Sequence, residues 1–264
     1  TNNIAIGTDA GATAQGTNTV AIGNLAGSTV QGNDTVAVGR AAGYNQQGAN
    51  SVAVGLNAGC ADQAANAVSI GNAAGCDSQG TQGIAIGNTA GRVAQGDTAV
   101  AVGVSAGLNQ QGASSVAVGH QAGQVSQGAN SVAIGLLAGA ADQADNSVAI
   151  GNNAGNDSQG ASSVAIGRVA GYNAQGANAT AVGYLAGETD QGDSSVAVGR
   201  AAGRNSQGDN AIAIGYQAGL TSQGATTVAI GQNAGYNVQG ANSVAMGYQA
   251  GYADQGTKSV ALGI

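Results

Sequence analysis

Two cysteines, Cys60 and Cys76, have the clearest capacity for covalent chemistry in this chain, and they lie sixteen residues apart. A short sequence repeats at the same interval, so both cysteines occupy its tenth position. If each repeat forms one coil of a stack, their Cα atoms lie about 4.8 Å apart, which a disulfide accepts. We predict an intercoil disulfide and hence an oxidising, extracellular setting. The alternative is two unpaired thiols in a variable part of the surface.

The repeat has the form x-V-A-[IV]-G-x-x-A-G-x-x-x-Q-G-x-x and runs sixteen times over residues 3–258, followed by a partial copy over 259–264. No insertion or deletion interrupts it. We number its positions from Asn3 and call the residues at one position of all the repeats a column. A fixed period with fixed internal chemistry indicates a stack of identical small units. Residues 1–264 are therefore predicted to form a single repeat array.

The thirteenth column is glutamine in every complete repeat. Nothing catalytic requires sixteen copies of one amide, whereas stacked glutamines can pass amide hydrogen bonds along a stack or satisfy the backbone of a turn. We predict a structural ladder, with a repeated ligand site as the alternative. Its members are Gln15, Gln31, Gln47, Gln63, Gln79, Gln95, Gln111, Gln127, Gln143, Gln159, Gln175, Gln191, Gln207, Gln223, Gln239 and Gln255.

All the tyrosines fall in two variable columns, which also hold the arginines. Such variability is typical of a solvent-exposed surface. The alternative interpretation is a contact surface for a host ligand or a neighbouring fibre. The sixth column contains Tyr184, Tyr216 and Tyr248, and the tenth contains Tyr44, Tyr172, Tyr236 and Tyr252.

Other functional chemistry finds little support in the residues. The one histidine, His120, has no partner column of acids, and no set of nucleophile and base stands out, so we predict no enzyme, no cofactor and no metal. Calcium-binding repeats need Asp at a fixed place in each repeat, and the twelfth column has it in few. Ice binding is a weak alternative, because the first column is mostly Ser or Thr but its same-face neighbour is almost always Ala.

Composition excludes several classes of protein. The 48 glycines are periodic, there is no Pro, Trp or Phe, and only 7% of residues are charged, which excludes collagen and flexible linkers. The six basic residues form no run that would bind nucleic acid. No apolar run is long enough to insert into a membrane. We expect the chain to be a window of a longer protein or a processed one.

The elements that position these columns are strands. The V-A-[IV] stretch alternates in size and is rich in β-branched residues, Gly ends it, and a second extended stretch leads to Gln and another turn. We predict an all-β fold, a parallel β-solenoid (β-roll) with one sixteen-residue coil per repeat and two short strands per coil. The large residues of the second and fourth columns are expected to face the interior. The alanines of the third column would then form a flat outer strip that another chain could pack against.

The S-V-A-I-G strand followed by Gly turns resembles the head repeats of trimeric autotransporter adhesins, and similar repeats occur in viral fibre proteins. Residues 131–135 and 163–167 carry this motif letter for letter. The resemblance implies a left-handed parallel β-roll, three chains around one axis, an extracellular location and binding to host matrix or cells.

These observations predict a structural, non-enzymatic β-solenoid of an extracellular fibre or of a cell or virion surface appendage, forming a stiff, protease-resistant rod. We expect it to associate with itself, as a trimer or as an end-to-end filament. An adhesin head that binds host or surface ligands through the variable exposed columns is the alternative.

Overall fold

The computed structural model describes residues 2–263, and that part of the chain contains strands and turns but no helix. It confirms the predicted parallel β-solenoid: about sixteen coils of about sixteen residues each, with two parallel sheets. Thr1 and the last residue of the partial repeat, Ile264, lie outside the described residues. Nothing between residues 2 and 263 could cross a membrane as an apolar helix.

The chain divides after Ser131 into two compact units. The prediction of a single array over residues 1–264 therefore stays a prediction, and each unit is described separately.

In the first unit, the odd-numbered strands form the first sheet and the even-numbered strands the second. They are β1 (Ile4–Ile6), β2 (Ala14–Gln15), β3 (Val20–Ile22), β4 (Val30–Gln31), β5 (Val36–Val38), β6 (Asn45–Gln47), β7 (Val52–Val54), β8 (Ala61–Gln63), β9 (Val68–Ile70), β10 (Asp77–Gln79), β11 (Ile84–Ile86), β12 (Val93–Gln95), β13 (Val100–Val102), β14 (Asn109–Gln111), β15 (Val116–Val118) and β16 (Val125–Gln127).

In the second unit, β18, β20, β22, β24, β26 and β28 belong to the second sheet and the remaining strands to the first. They are β17 (Val132–Ile134), β18 (Ala141–Gln143), β19 (Val148–Ile150), β20 (Asp157–Gln159), β21 (Val164–Ile166), β22 (Asn173–Gln175), β23 (Thr180–Val182), β24 (Thr189–Gln191), β25 (Val196–Val198), β26 (Asn205–Gln207), β27 (Ile212–Ile214), β28 (Thr221–Gln223), β29 (Val228–Ile230), β30 (Val244–Met246) and β31 (Val260–Leu262).

Pairing follows the repeat, because each residue lies against the residue sixteen positions further on. In the first sheet Val148 pairs with Val164, and in the second Gln159 pairs with Gln175. The backbone hydrogen bonds between coils are short, as in Val164 N–H to Ala179 O at 2.9 Å. Parallel, in-register pairing places like side chains above like, so every column becomes a continuous row within its unit.

Glycine in the fifth column makes the turn after the first strand possible. Gly55 has φ of +130°, and a Cβ added there would lie 2.5 Å from Gly71 O on the next coil. A side chain would therefore meet both an unfavourable backbone conformation and a neighbouring backbone. We call this turn, from the fifth to the tenth position, the first turn, and the turn from the fourteenth to the sixteenth position the second turn.

The core is built from the smallest side chains of the repeat. Third-column and eighth-column alanines such as Ala165 and Ala170 are fully buried, and so are first-column residues such as Ser163. Gln159 and the other thirteenth-column glutamines from Gln31 onward complete the interior at 9% exposure or less.

The expectation that Val and Ile fill the interior is wrong. Ile150 and Ile166 are 36% and 38% exposed, whereas the third-column alanines that precede them in the same strands are fully buried. A sixteen-residue coil with three-residue strands encloses a narrow space, and one stretched glutamine already crosses it in every coil. Methyl groups and hydroxyls fit beside that glutamine, and two β-branched side chains per strand do not.

The same reversal removes the basis for ice binding. The Ser and Thr residues of the first column would have to face the solvent, but Thr19, Thr35, Ser115 and Ser195 are fully buried. Ser163 and Ser195 instead donate hydrogen bonds to the carbonyl oxygens of Gly160 and Gly192, at 2.6 and 2.7 Å. These hydroxyls therefore hold the second turn.

Candidate functional site

The second and fourth columns form an apolar surface on the first sheet of each unit, which we call the Val/Ile face. Its rows run in register from strand to strand, so apolar side chains adjoin along the sheet of each unit, with Thr180 as the one polar residue in the two columns. The expectation that the third-column alanines form an outer strip for association is wrong, because these alanines are buried. The most exposed members of the Val/Ile face, beyond those at the two ends of the chain, are Ile22, Ile70, Ile86, Ile134, Ile150, Ile166, Ile214 and Met246.

The sixth column carries a stack of alternating charge and aromatic rings in the second unit. Arg168, Tyr184, Arg200 and Tyr216 follow one another on successive coils, and all four are exposed. The guanidinium carbon of Arg168 lies 5.3 Å from the centroid of the Tyr184 ring. That of Arg200 lies 5.8 Å from Tyr184 and 5.3 Å from Tyr216. These are cation–π distances, and we call the four residues the Arg/Tyr stack.

Charges are separated around the coil. All five arginines lie in the first turn, where the acidic residues are Asp9 and Glu188 alone. Eleven of the thirteen acidic residues lie on the second strand or in the second turn, and each is exposed: Asp34, Asp62, Asp77, Asp97, Asp142, Asp145, Asp157, Asp190, Asp193, Asp209 and Asp254. The first turn is therefore the positive edge of a chain whose net charge is -7.

The tenth column holds two further pairings of the second unit. The rings of Tyr236 and Tyr252 stack with their centroids 4.8 Å apart and their planes 9° from parallel. Arg204 forms an ion pair with Glu188 on the neighbouring coil. Tyr172 lies four coils before Tyr236, so the structure does not bring it into the same cluster. Tyr44 belongs to the first unit and is exposed.

The glutamine column lies inside the solenoid, with its members paired in register. Gln111 Nε2 donates to Val100 O at 2.8 Å, a contact that recurs in nearly every coil from Gln31 onward. Amide-to-amide hydrogen bonds also join glutamines on successive coils, as from Gln95 Nε2 to Gln111 Oε1 at 3.0 Å and from Gln175 to Gln191 at 3.1 Å. Burial of these side chains from Gln31 onward disfavours a repeated ligand site on this column.

In one coil both the nitrogen and the oxygen of the buried glutamine amide have side-chain or backbone partners, whereas in most other coils the oxygen has none. In many coils the buried Oε1 atom has no partner, as at Gln127. Ser69 stands in the third column where the other coils have alanine, and its hydroxyl lies 2.6 Å from Gln79 Oε1 and 3.1 Å from Gln63 Nε2. Sequence reasoning did not assign Ser69 a role, although its break in an otherwise uniform alanine column was a visible signal.

Cys60 and Cys76 lie on neighbouring coils of the first unit, joined as a disulfide with their Cα atoms 4.6 Å apart. Mass spectrometry checks this bond, because the oxidised chain should be lighter than the reduced chain by two hydrogens. Among residues 2–263, the ligand atoms close enough to share a metal are the two sulfurs and an Asp77 oxygen, within 4.8 Å of one another. Sulfurs bonded to each other offer no thiolate to a metal.

A surface cavity of about 560 Å³ lies beside the second strands of the first unit. Val30, Gln46 and Gln63 line it, and Asp62 is the one charged residue among its lining residues. A single exposed carboxylate without a base, nucleophile or cation near it offers no catalytic set.

Four segments of the chain match the family model described as the YadA head domain repeat (2 copies): residues 4–26, 14–42, 126–154 and 191–218. They cover less than half of the chain. Together with the parallel β-solenoid, this match confirms the resemblance to the head repeats of trimeric autotransporter adhesins. It indicates an adhesin-type β-solenoid, a family of cell-surface adhesins and not of enzymes. A comparison with curated protein sequences finds no match.

Proposed function

We propose that this chain is a non-enzymatic structural β-solenoid of an extracellular fibre or cell-surface appendage and that it assembles with copies of itself, as a trimer, through the Val/Ile face. The exposure of that face carries the proposal. Two apolar rows, interrupted only by Thr180 in the second column, cover the first sheets of the two units. A large exposed apolar surface of this kind marks a protein–protein contact in a soluble protein.

Several features support an extracellular structural role. The matched family consists of cell-surface adhesins that normally trimerise. A disulfide between Cys60 and Cys76 would persist in an oxidising compartment. Protease resistance is part of the proposal, because Arg40 and the other arginines lie in turns whose backbone is hydrogen-bonded to neighbouring coils, as in Asn57 N–H to Arg40 O at 2.9 Å.

Analytical ultracentrifugation tests the assembly. The wild-type chain is expected to sediment as a trimer, at three times the chain mass of 24.8 kDa. Replacing Ile150 and Ile166 with serine places two hydroxyls at the centre of the apolar rows without touching the core. This variant is expected to sediment as a monomer. Each of these isoleucines is a little over a third exposed, so its replacement loses roughly 0.5–1 kcal/mol of apolar burial per chain on assembly.

A matched control uses apolar residues with similar exposure outside the Val/Ile face. Leu136 and Val104 lie in the sixth column and are 44% and 46% exposed. Replacing both with serine should leave the trimer intact. A monomeric wild-type chain, or equal dissociation of both double variants, would contradict assembly through the Val/Ile face.

A second candidate function is adhesion to a host or surface ligand through the variable columns of the first turn. The observation that favours it is the Arg/Tyr stack, whose four residues are exposed and held in a fixed order by their mutual contacts. Assembly through the first sheet and adhesion through the first turn use different parts of the coil, so both functions are compatible in one chain.

A further inference from the structure

The Arg/Tyr stack holds two of the three arginines of the second unit, and Glu188 is the one acid within its four turns. Residues 167–171, 183–187, 199–203 and 215–219 contain no Asp or Glu. The nearest acid in the tenth column, Glu188, is already paired with Arg204. Acidic residues of the same unit such as Asp193 and Asp209 lie in the second turn. An anion is therefore attracted to this edge of the coil and repelled by the other.

Contact with the tyrosine rings arranges the two guanidinium groups before any ligand arrives. Arg200 lies between the rings of Tyr184 and Tyr216, and Arg168 lies over the other side of Tyr184. A guanidinium whose face rests on a ring keeps its N–H edge free for an oxyanion, which it can bind with two parallel hydrogen bonds. Holding the side chains in place beforehand lowers the entropy cost of binding.

The spacing of the stack selects an extended ligand. Arg168 and Arg200 are two coils apart, about 9.6 Å along the solenoid. The stack lies on an exposed turn and not in a cleft, so a single small anion would contact one guanidinium and remain mostly in water. A chain with anionic groups at intervals can contact both arginines while its hydroxyls meet the tyrosine hydroxyl groups between them.

The ring geometry disfavours nucleic acid as that chain. Single-stranded nucleic acid gains affinity by stacking bases on exposed aromatic faces. The guanidinium carbons of Arg168 and Arg200, on the two coils that flank Tyr184, lie 5.3 and 5.8 Å from its ring centroid. They compete with a base for the faces of that ring, and the ring edge and hydroxyl group stay accessible to a ligand. This arrangement suits sugar hydroxyls and sulfate groups better than bases.

We propose that the Arg/Tyr stack binds a sulfated polysaccharide lying along the first turn of the second unit. This inference rests on the adhesive role described above and gives that role a ligand class. Assembly through the Val/Ile face does not depend on it, because the stack is separate from that face.

Binding of the full chain to immobilised heparin, measured over a series of salt concentrations, tests the proposal. The double variant R168Q/R200Q is expected to lose about tenfold in affinity for each arginine removed. Its logarithmic salt slope should fall by about two, one for each lost ionic contact. The variant Tyr184→Leu keeps every charge and is expected to weaken binding as well, because it removes the ring between the two guanidinium groups.

The matched control is R40Q/R92Q, which removes the same charge from the first turn of the other unit, where no tyrosine stacks on the arginine among the described ring contacts. It should change affinity by less than about twofold. Equal losses in the two double variants, or an unchanged affinity of Tyr184→Leu, would show non-specific attraction and overturn the proposal.

Competition identifies the ligand chemistry. Soluble heparin should displace the chain, whereas hyaluronan, which has carboxylates but no sulfates, and single-stranded DNA should not. Equal competition by either polymer, or no heparin binding at low salt, refutes the proposal. Sedimentation and thermal unfolding of every variant are measured in parallel, so that loss of assembly or of the fold is distinguished from loss of the ligand.

Discussion

At the scale of single residues, the interior is limited by hydrogen bonding more than by apolar volume. Each coil buries one glutamine whose Nε2 finds a carbonyl oxygen, but many of the Oε1 atoms have no partner. An unpaired buried acceptor costs about 1–3 kcal/mol. Gln79 Oε1 avoids that cost, because it accepts from the Ser69 hydroxyl at 2.6 Å and from Gln63 Nε2 at 3.1 Å. The third column can therefore tune stability without changing the shape of the coil.

This contact predicts opposite effects for two reciprocal substitutions. Ser69→Ala removes the shorter of the two hydrogen bonds to Gln79 Oε1, leaving the one from Gln63 Nε2 at 3.1 Å. It is expected to lower the free energy of unfolding by about 1 kcal/mol, or the melting temperature by about 2–4 °C. Ala117→Ser gives the unpaired Gln127 Oε1 a donor and should raise the melting temperature. Differential scanning calorimetry compares the two variants with the wild type. A rise for Ser69→Ala or a fall for Ala117→Ser would contradict the role assigned to the hydroxyl.

At the scale of the coil, two glycine columns control how closely neighbours approach, and they differ in tolerance. In the fourteenth column, alanine already replaces glycine at positions 64 and 144. The backbone hydrogen bonds from Ala64 and Ala144 to the next coil are 3.0 Å long, whereas the glycines of that column give 2.7–2.8 Å. The second turn therefore accommodates the alanine side chain by lengthening this hydrogen bond by a few tenths of an ångström. The fifth column has no such exception in the complete repeats.

The difference predicts unequal costs for the same change. Gly96→Ala brings a Cβ to 2.5 Å from Ala113 N at an ordinary backbone conformation, and is expected to cost about 1 kcal/mol. Gly55→Ala meets Gly71 O at the same distance and also has φ of +130°, so about 3 kcal/mol is expected. Chemical denaturation of both variants gives the comparison, and equal costs would show that the fifth column is no more restricted than the fourteenth.

At the scale of the whole molecule, the sequence was sufficient to predict the architecture. It was not sufficient to predict which side chains lie inside the coil and which lie outside. The uninterrupted period predicted one coil per repeat, because any other length would break the alignment of Gln159 with Gln175. Alternation within V-A-I, however, says only that Val164 and Ile166 share a face opposite to Ala165. Which face is inside depends on the width of the coil, which follows from how the two turns close.

The candidate site was predictable to a similar degree. The column positions of Tyr184 and Tyr216 were readable from the period, and so was the proximity of Cys60 and Cys76. The contact of Arg200 with both tyrosine rings was not predictable, because it forms only if the side chains turn along the stack. The exposure of the Val/Ile face was missed because the usual preference for burying Val and Ile outweighed the uniformity of the alanine columns.

Since each coil pairs only with its neighbours, the repeat is also the unit in which the chain can change length. Deleting residues 147–162 joins Asn146 to Ser163 in correct register and is expected to leave cooperative thermal unfolding close to that of the wild type. Deleting residues 147–154 removes a first strand and leaves half a coil. That variant should melt at a clearly lower temperature by circular dichroism. Similar melting of the two deletions would mean that the coil is not the structural unit.

The narrow alanine core has a thermodynamic consequence. Exposing apolar surface raises the heat capacity on unfolding, and exposing amide and hydroxyl groups lowers it. This interior holds methyl groups, hydroxyls, glutamine amides and a dense set of backbone amides, with its larger aliphatic side chains outside. We therefore expect a small heat-capacity change of unfolding per residue for the monomeric chain. Its free energy of unfolding should then depend only weakly on temperature, on warming and on cooling alike.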